Sequence, residues 1–153
     1  MSKLELRWLG HACFALKYKD FTVVFDPFED NYVRGFGSLD VAADLVLCSH
    51  FHNDHGAAYV VQPLEGHENP FQVTGIQTFH DPEGGKLRGE NVIHILEADG
   101  FKVAHLGDLG LEKVAELSDF LVQIEEYNEY PGNTITVDKK TEAQVAVLKF
   151  IPN

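Results

Sequence analysis

The stretch "LVLCSHFHNDHGAA", residues 45–58, decides how this chain is read. An apolar run of strand length ends in His50, His52, Asp54 and His55, four ionisable residues within six positions. Imidazoles and carboxylates at the end of a buried strand are costly unless something satisfies them. In extended chain, residues two apart point the same way, so His50 and His52 can grip one ion together. Asp54 and His55 fall on the following turn and aim elsewhere, toward a second ion close by. Neutral imidazoles and carboxylates suit Zn²⁺, and also Mn²⁺ or Fe.

Working outward, three further strand-like runs end the same way. "TVVF" ends at Asp26, "GIQTF" at His80 and "KVAHLG" at Asp108. In layered α/β folds, sites form outside the carboxyl ends of strands, where loops leave the sheet. Four endings carrying His or Asp therefore argue for a metal site assembled from distant segments. "LELRWL", "CFALKY" and "FTVVFD" read as short strands, the last two joined near Lys19-Asp20. "ADLVLCS" has the continuous apolar character of a strand buried on both faces. "EDNYVRGFGSLD" reads as a loop, "GAAYVV" as a short helix and "FQVTGIQTF" as a strand. "NVIHILEADGFKVAHLGD" reads as a hairpin turning at Asp99-Gly100. Beyond it, "EKVAEL" suggests a helix and "DFLVQI" a strand. "TEAQVAVLKF" suggests a second helix, opened by a Thr141-to-Gln144 capping box. The class is mixed α/β (α+β), and with no linker or repeat in view a single domain is expected over 1–153.

Composition sets the outer bounds. At 153 residues, 44% hydrophobic and 24% charged, the chain is long enough for a real core. No apolar run approaches the ~18 residues of a membrane span. No signal peptide is evident in "MSKLELRWLGHACF", which favours a cytoplasmic protein without membrane attachment. Cys13 and Cys48 lie in apolar runs and read as free buried thiols. The formal charge of −12 repels phosphate backbones, so a nucleic-acid partner is not expected. A small anionic substrate remains compatible with a local cationic site. Lys86 and Arg88 in "GGKLRG" offer one, Arg as a bidentate clamp, or they belong to an ordinary solvated loop.

"SHFHNDH" resembles the His-x-His-x-Asp-His signature of the metallo-β-lactamase superfamily. "WLGHACF", "FDPF", "FHDPEGGKLRGEN" and "HLGDLG" extend the likeness over nearly the whole chain. Together they resemble its small, stand-alone branch of metal-dependent hydrolases, akin to the ascorbate-phosphate lactonase type. The resemblance implies an αβ/βα four-layer sandwich, shortened here at its C-terminal side. It implies that His50, His52 and His80 hold a first metal, Asp54 and His55 a second, and that Asp108 bridges both. Asp26 would orient a ligand imidazole from behind. His11 would sit beside the site and touch substrate or metal, unless it is a hydrogen-bonded core histidine. His105 reads as a core histidine, and His67 and His94 as residues without a chemical role.

Members of this branch continue past the helix that "TEAQVAVLKF" resembles, with a strand bringing one more histidine to the second metal. No histidine follows His105 here, so the second ion is expected to be held more weakly, with Glu125 and Glu126 as substitute ligands or plain loop carboxylates. One or two Zn²⁺ per chain are expected. An uncovered sheet edge would also invite a homodimer. The expected activity is hydrolysis of an ester, lactone, amide or phosphodiester bond of a small molecule by metal-activated water. Asp54 and His11 are the candidate catalytic residues. Two alternatives stand beside it: a metal-binding protein of the same fold with little activity, and an iron-dependent redox enzyme.

Overall fold

The computed structural model describes residues 2–111, 114, 128–141 and 146–147. The chain begins with three antiparallel strands, β1 (Leu4–Gly10), β2 (Cys13–Tyr18) and β3 (Phe21–Phe25). After the expected loop come β4 (Ala42–Ala43) and β5 (Leu45–Leu47), the latter lying parallel to β3. β6 (Gln62–Pro63) pairs parallel with β4. A second sheet follows, built from β7 (Gln72–Phe79), β8 (Glu90–Ala98) and β9 (Phe101–His105), all antiparallel. β10 (Asn128–Glu129), β11 (Thr134–Val137) and β12 (Ala146–Val147) complete the described strands. β11 joins β1, so the first sheet has the order β11-β1-β2-β3-β5 and the second β7-β8-β9.

The alternation of β3 explains why both of its faces are apolar. Phe21, Val23 and Phe25 face the second sheet, where they meet Phe71, Leu96, Ala98 and Phe101. Val24 faces the other way, into a cluster with Cys13, Ala15, Phe28, Val41, Ala43 and Val61. Burying each such large apolar side chain contributes about 1.5–3 kcal/mol. The two sheets are also tied at their far ends. Asp99 and Gly100 both adopt positive φ, as a two-residue hairpin turn requires, and Asp99 accepts hydrogen bonds from Tyr18 Oη (2.6 Å) and Lys19 Nζ (3.1 Å).

Three expectations need correction. The described helical content is a single 3₁₀ turn, Ala58–Val60, where "GAAYVV" suggests a helix. β5 is half-buried at all three positions rather than buried on both faces. Within the helix expected over "TEAQVAVLKF", Ala146 and Val147 are instead extended and pair in parallel with Asn128 and Glu129, a backbone partner overriding the periodicity. The Thr141 hydroxyl, expected to cap that helix, is committed backward, accepting from the Asp138 amide at 3.0 Å and donating to its carboxylate at 3.2 Å. Gln144, Glu125, Glu126, the "DFLVQI" strand and all but Val114 of the "EKVAEL" helix lie outside the described residues. Cys13 and Cys48 are free thiols, as expected, but only Cys13 is buried, Cys48 being half-buried. Among the described residues no helix is long and apolar enough to cross a membrane.

Candidate metal centre

β3 and β5 run side by side and release their chains at the same end, and this places Asp26 beside Ser49 and His50. Asp26 takes a left-handed backbone conformation (φ 45°), at a cost of about 1–2 kcal/mol for a residue with a Cβ, and turns its carboxylate into the core. There it is fully buried and fully used. One oxygen accepts the Ser49 amide (2.6 Å), and the other accepts the Ser49 hydroxyl (2.5 Å) and His55 Nδ1–H (2.8 Å). Because the Ser49 hydroxyl proton goes to Asp26, its oxygen accepts from His50 Nδ1–H at 2.9 Å. One buried carboxylate thus fixes two imidazoles, each with its Nδ1 proton tied back and its Nε2 lone pair turned forward.

Those lone pairs converge on other acceptors. His55 Nε2 lies 3.2 Å from Asp108 Oδ2 and 3.5 Å from Asp54 Oδ2, and His50 Nε2 lies 3.9 Å from Asp108 Oδ2. Both nitrogens are buried without a hydrogen bond. Lone pairs aimed at one another are favourable only with a cation or proton between them, so the donor set fits a metal. The ligand atoms of His50, His52 and His80 lie within 4.8 Å of one another, as do those of His11, Asp54 and His55. Asp108 stands between the two groups, with its Oδ2 also 2.9 Å from His80 Nε2. Asp26, His50 and His55 form a third close group, but the carboxylate there is already saturated by donors.

Electrostatics agree with this division. Burial, with help from the neighbouring His55, pushes His50 down to about 4, so its imidazole is neutral at physiological pH. For His55, burial works downward, but the bond to Asp26 and the Asp108 and Asp54 charges win and raise it. Burial works upward on Asp54 and is outweighed by His55, a backbone amide and His11, leaving the carboxyl below its usual range. A negative field gathered around one imidazole is what a cation site requires.

Each sequence-predicted residue can now be placed. His50, His52 and His80 come together from the ends of β5 and β7, and Asp54, His55 and Asp108 adjoin them. His11, on the β1–β2 turn, reaches Asp54 with its Nε2 at 3.2 Å from Oδ2 and joins the second group rather than the core. His105 is the core histidine expected, stacked on Phe25 at 4.9 Å. His94 Nε2 donates to the Cys48 carbonyl at the end of β5 (2.9 Å). His67 pairs with Asp44 (2.7 Å), a structural contact that its reading as a mere loop residue missed. Lys86 and Arg88 are exposed on a loop whose amides at Glu83, Gly85, Leu87 and Arg88 all donate to the buried Asp81 carboxylate.

Sequence reasoning missed the supports. Ser49 stood in the quoted motif, unremarked. Fully buried Asn91 on β8 accepts the Asp108 amide (3.1 Å) and donates to the Leu106 carbonyl (2.9 Å) and Thr78 Oγ1 (3.1 Å), fixing the loop that carries Asp108. Gly107 has φ +60°, and a Cβ there would collide with Ser49 and Asn91, so only glycine lets that loop close on the site. The one available signal was the glycine in "HLGD"; nothing near Asn91 marks it.

Two sheets delivering histidines and aspartates from their strand ends into one centre define a class: the metallo-β-lactamase superfamily. The chain belongs to it, since residues 5–126 match the family described as "Beta-lactamase superfamily domain". Among its relatives is a protein of Natranaerobius thermophilus named as a UPF0173 metal-dependent hydrolase. It is 26% identical, with the match covering 80% of this chain and 68% of that protein. A Thermoplasma volcanium protein of the same name is 30% identical over 74% of this chain and 65% of its own length. This chain therefore spans about two thirds of the length of those two relatives. The fold is shared with a Thermotoga maritima protein assigned to the Zn-dependent hydrolases of the metallo-β-lactamase superfamily. That comparison gives a TM-score of 0.61 at 22% identity, over 95% of this chain and 97% of the other.

Proposed function

We propose that this chain is a cytoplasmic metal-dependent hydrolase acting on an ester, lactone, amide or phosphodiester bond of a small molecule. The observation that carries the reading is the pair of buried, partnerless Nε2 lone pairs of His50 and His55, set by one carboxylate and turned toward Asp108. His50, His52 and His80 would hold a first ion. Asp54, His55 and His11 would hold a second, with Asp108 shared between them. Zn²⁺ fits this donor set, and Mn²⁺ or Fe is compatible with it.

When bound, such cations acidify water toward a pKa of ~7 and polarise the substrate's carbonyl or phosphoryl oxygen. The protein's own part is positional. Asp54, ionised at neutral pH, orients the attacking water and receives its proton. Asp26 and Ser49 keep the two imidazoles from turning. Lys86 and Arg88, exposed and without an ion pair among the described residues, are suited to a substrate carboxylate or phosphate.

Elemental analysis of protein purified without added metal tests the reading, together with a panel of ester, lactone, amide and phosphodiester substrates. The expected result is close to two ions per chain, with turnover abolished by His50→Ala and unchanged by His67→Ala. Failure to take up any divalent ion on titration refutes it. Iron with oxygen-dependent turnover would move the protein to redox chemistry, and tightly held metal without turnover on the panel to a binding role.

A further inference from the structure

His11 is the member of the second group that the β1–β2 turn supplies, directly after Gly10 at the end of β1. It sits at φ 51°, a left-handed conformation disfavoured for a residue with a Cβ, and its side chain is exposed. A side chain in that position holds its direction only if the surrounding structure fixes the backbone. Two side chains do so, gripping consecutive carbonyls. Trp8 Nε1–H donates to the His11 carbonyl at 2.8 Å, and His105 Nε2–H donates to the Ala12 carbonyl at 3.1 Å.

Both clamping residues are themselves held. His105 lies flat on Phe25, with 10° between the rings, and meets Phe14 edge-on. Burial keeps its imidazole neutral, so it has one proton to give, and its Nδ1 is buried without a partner. A histidine there leaves an acceptor unsatisfied that a phenylalanine would not, so packing alone does not account for it. Trp8 meets Phe36 edge-on at 6.3 Å. Gly10, at φ +116°, leaves no room for a Cβ against the same Phe36, which closes over the turn.

We infer that Trp8 and His105 are positioning residues for the second cation, holding the His11 turn so that its Nε2 stays beside Asp54 and His55. The inference rests on the two-cation reading above. It explains how an exposed histidine on a two-strand turn can complete a site: the turn is braced from both sheets, by β1 through Trp8 and by β9 through His105.

The test uses the full chain stripped of metal and titrated with Co²⁺, followed by the visible absorption of the bound ion. Wild type should bind two ions in distinguishable steps. His105→Phe keeps the stacking and removes the donor, and Trp8→Phe keeps a ring against Phe36 and removes its N–H. Each should weaken the second step about 10- to 100-fold, the range for groups that orient a metal ligand, and leave the first unchanged. His105→Gln, which restores a donor, should recover part of the loss. Combined with His11→Ala, neither change should weaken the second step further, because the histidine they aim is gone. Unchanged affinity at both steps in the double variant Trp8→Phe/His105→Phe overturns the inference. So does an equal fall at both steps alongside a lowered melting temperature, which is the mark of a merely structural role. A wild-type chain that takes up no second ion removes the two-cation reading, and the inference with it.

Discussion

The two halves of the centre are made differently. The His50, His52 and His80 half contains only imidazoles, and two of them lie two residues apart on the bend that follows β5. The His11, Asp54 and His55 half mixes a carboxylate with imidazoles and recruits its outermost member from a turn 43 residues away in sequence. His50 in the first half is neutral, as its downward shift shows, whereas the second half sits in a field of carboxylates that lifts His55. The first half draws its donors from the bend after β5 and the end of β7, with His50 held through Ser49. A charged, mixed site needs fixed supports behind it, and here these are Asp26, Asn91 and the two carbonyl clamps.

The largest effect expected from this contrast is functional. His52→Ala should abolish turnover and lower the metal content toward one ion per chain. His11→Ala should spare the first step of a stepwise Co²⁺ titration and lose only the second, the reverse of His52→Ala. Loss of the same step in both variants would erase the distinction between the halves.

Asp26→Asn should strike both halves at once. It leaves the Ser49 amide, the Ser49 hydroxyl and His55 Nδ1–H facing an amide that can satisfy them only in part. Removing one partner from a buried charged pair costs about 3–5 kcal/mol. Urea unfolding of the metal-free protein should show a loss of that order, and ion uptake should weaken at both steps.

A smaller effect concerns pH in the metal-free protein. His50 is depressed to about 4, and burial depresses His105 as well, so between its ordinary value of 6.5 and about 4 the unfolded chain binds more protons than the folded one. Stability must then fall as pH drops through that window. His55 is raised, so its contribution is fully present below 6.5 and does not offset the fall. Denaturant midpoints at pH 6.5 and 4.5 should differ in that direction. His50→Ala should narrow the gap, and a midpoint flat across the window would remove the case for a neutral His50.

How much of this could be read in the sequence follows the same line. His50, His52, Asp54 and His55 are close in sequence, and strand geometry alone predicts that the first two face one way. The hairpin at Asp99-Gly100 was legible because both residues tolerate positive φ. The four strand ends carrying Asp26, His50, His80 and Asp108 could be seen to converge, since a layered fold opens its loops on one side. The supports could not. Asn91 reaches the 106–108 loop across 17 residues to the Asp108 amide, and His105 reaches Ala12 across 93, and no local pattern encodes either contact. The strand at Ala146–Val147 was misread for the same reason, because its partner, not its own periodicity, set its form. Thr141 was misread because Asp138, three residues back, competes for its hydroxyl.

The doubly used carboxylate of Asp26 limits how such a centre can change over generations. An exchange that retuned His55 for a different ion would also let His50 rotate through Ser49, so a mutation at that hub alters both pockets together. New metal preferences are reachable one pocket at a time only from the periphery, through the His11 turn or the loop carrying Asp108. Divergence among descendants of this chain should accumulate there, with the hub left alone.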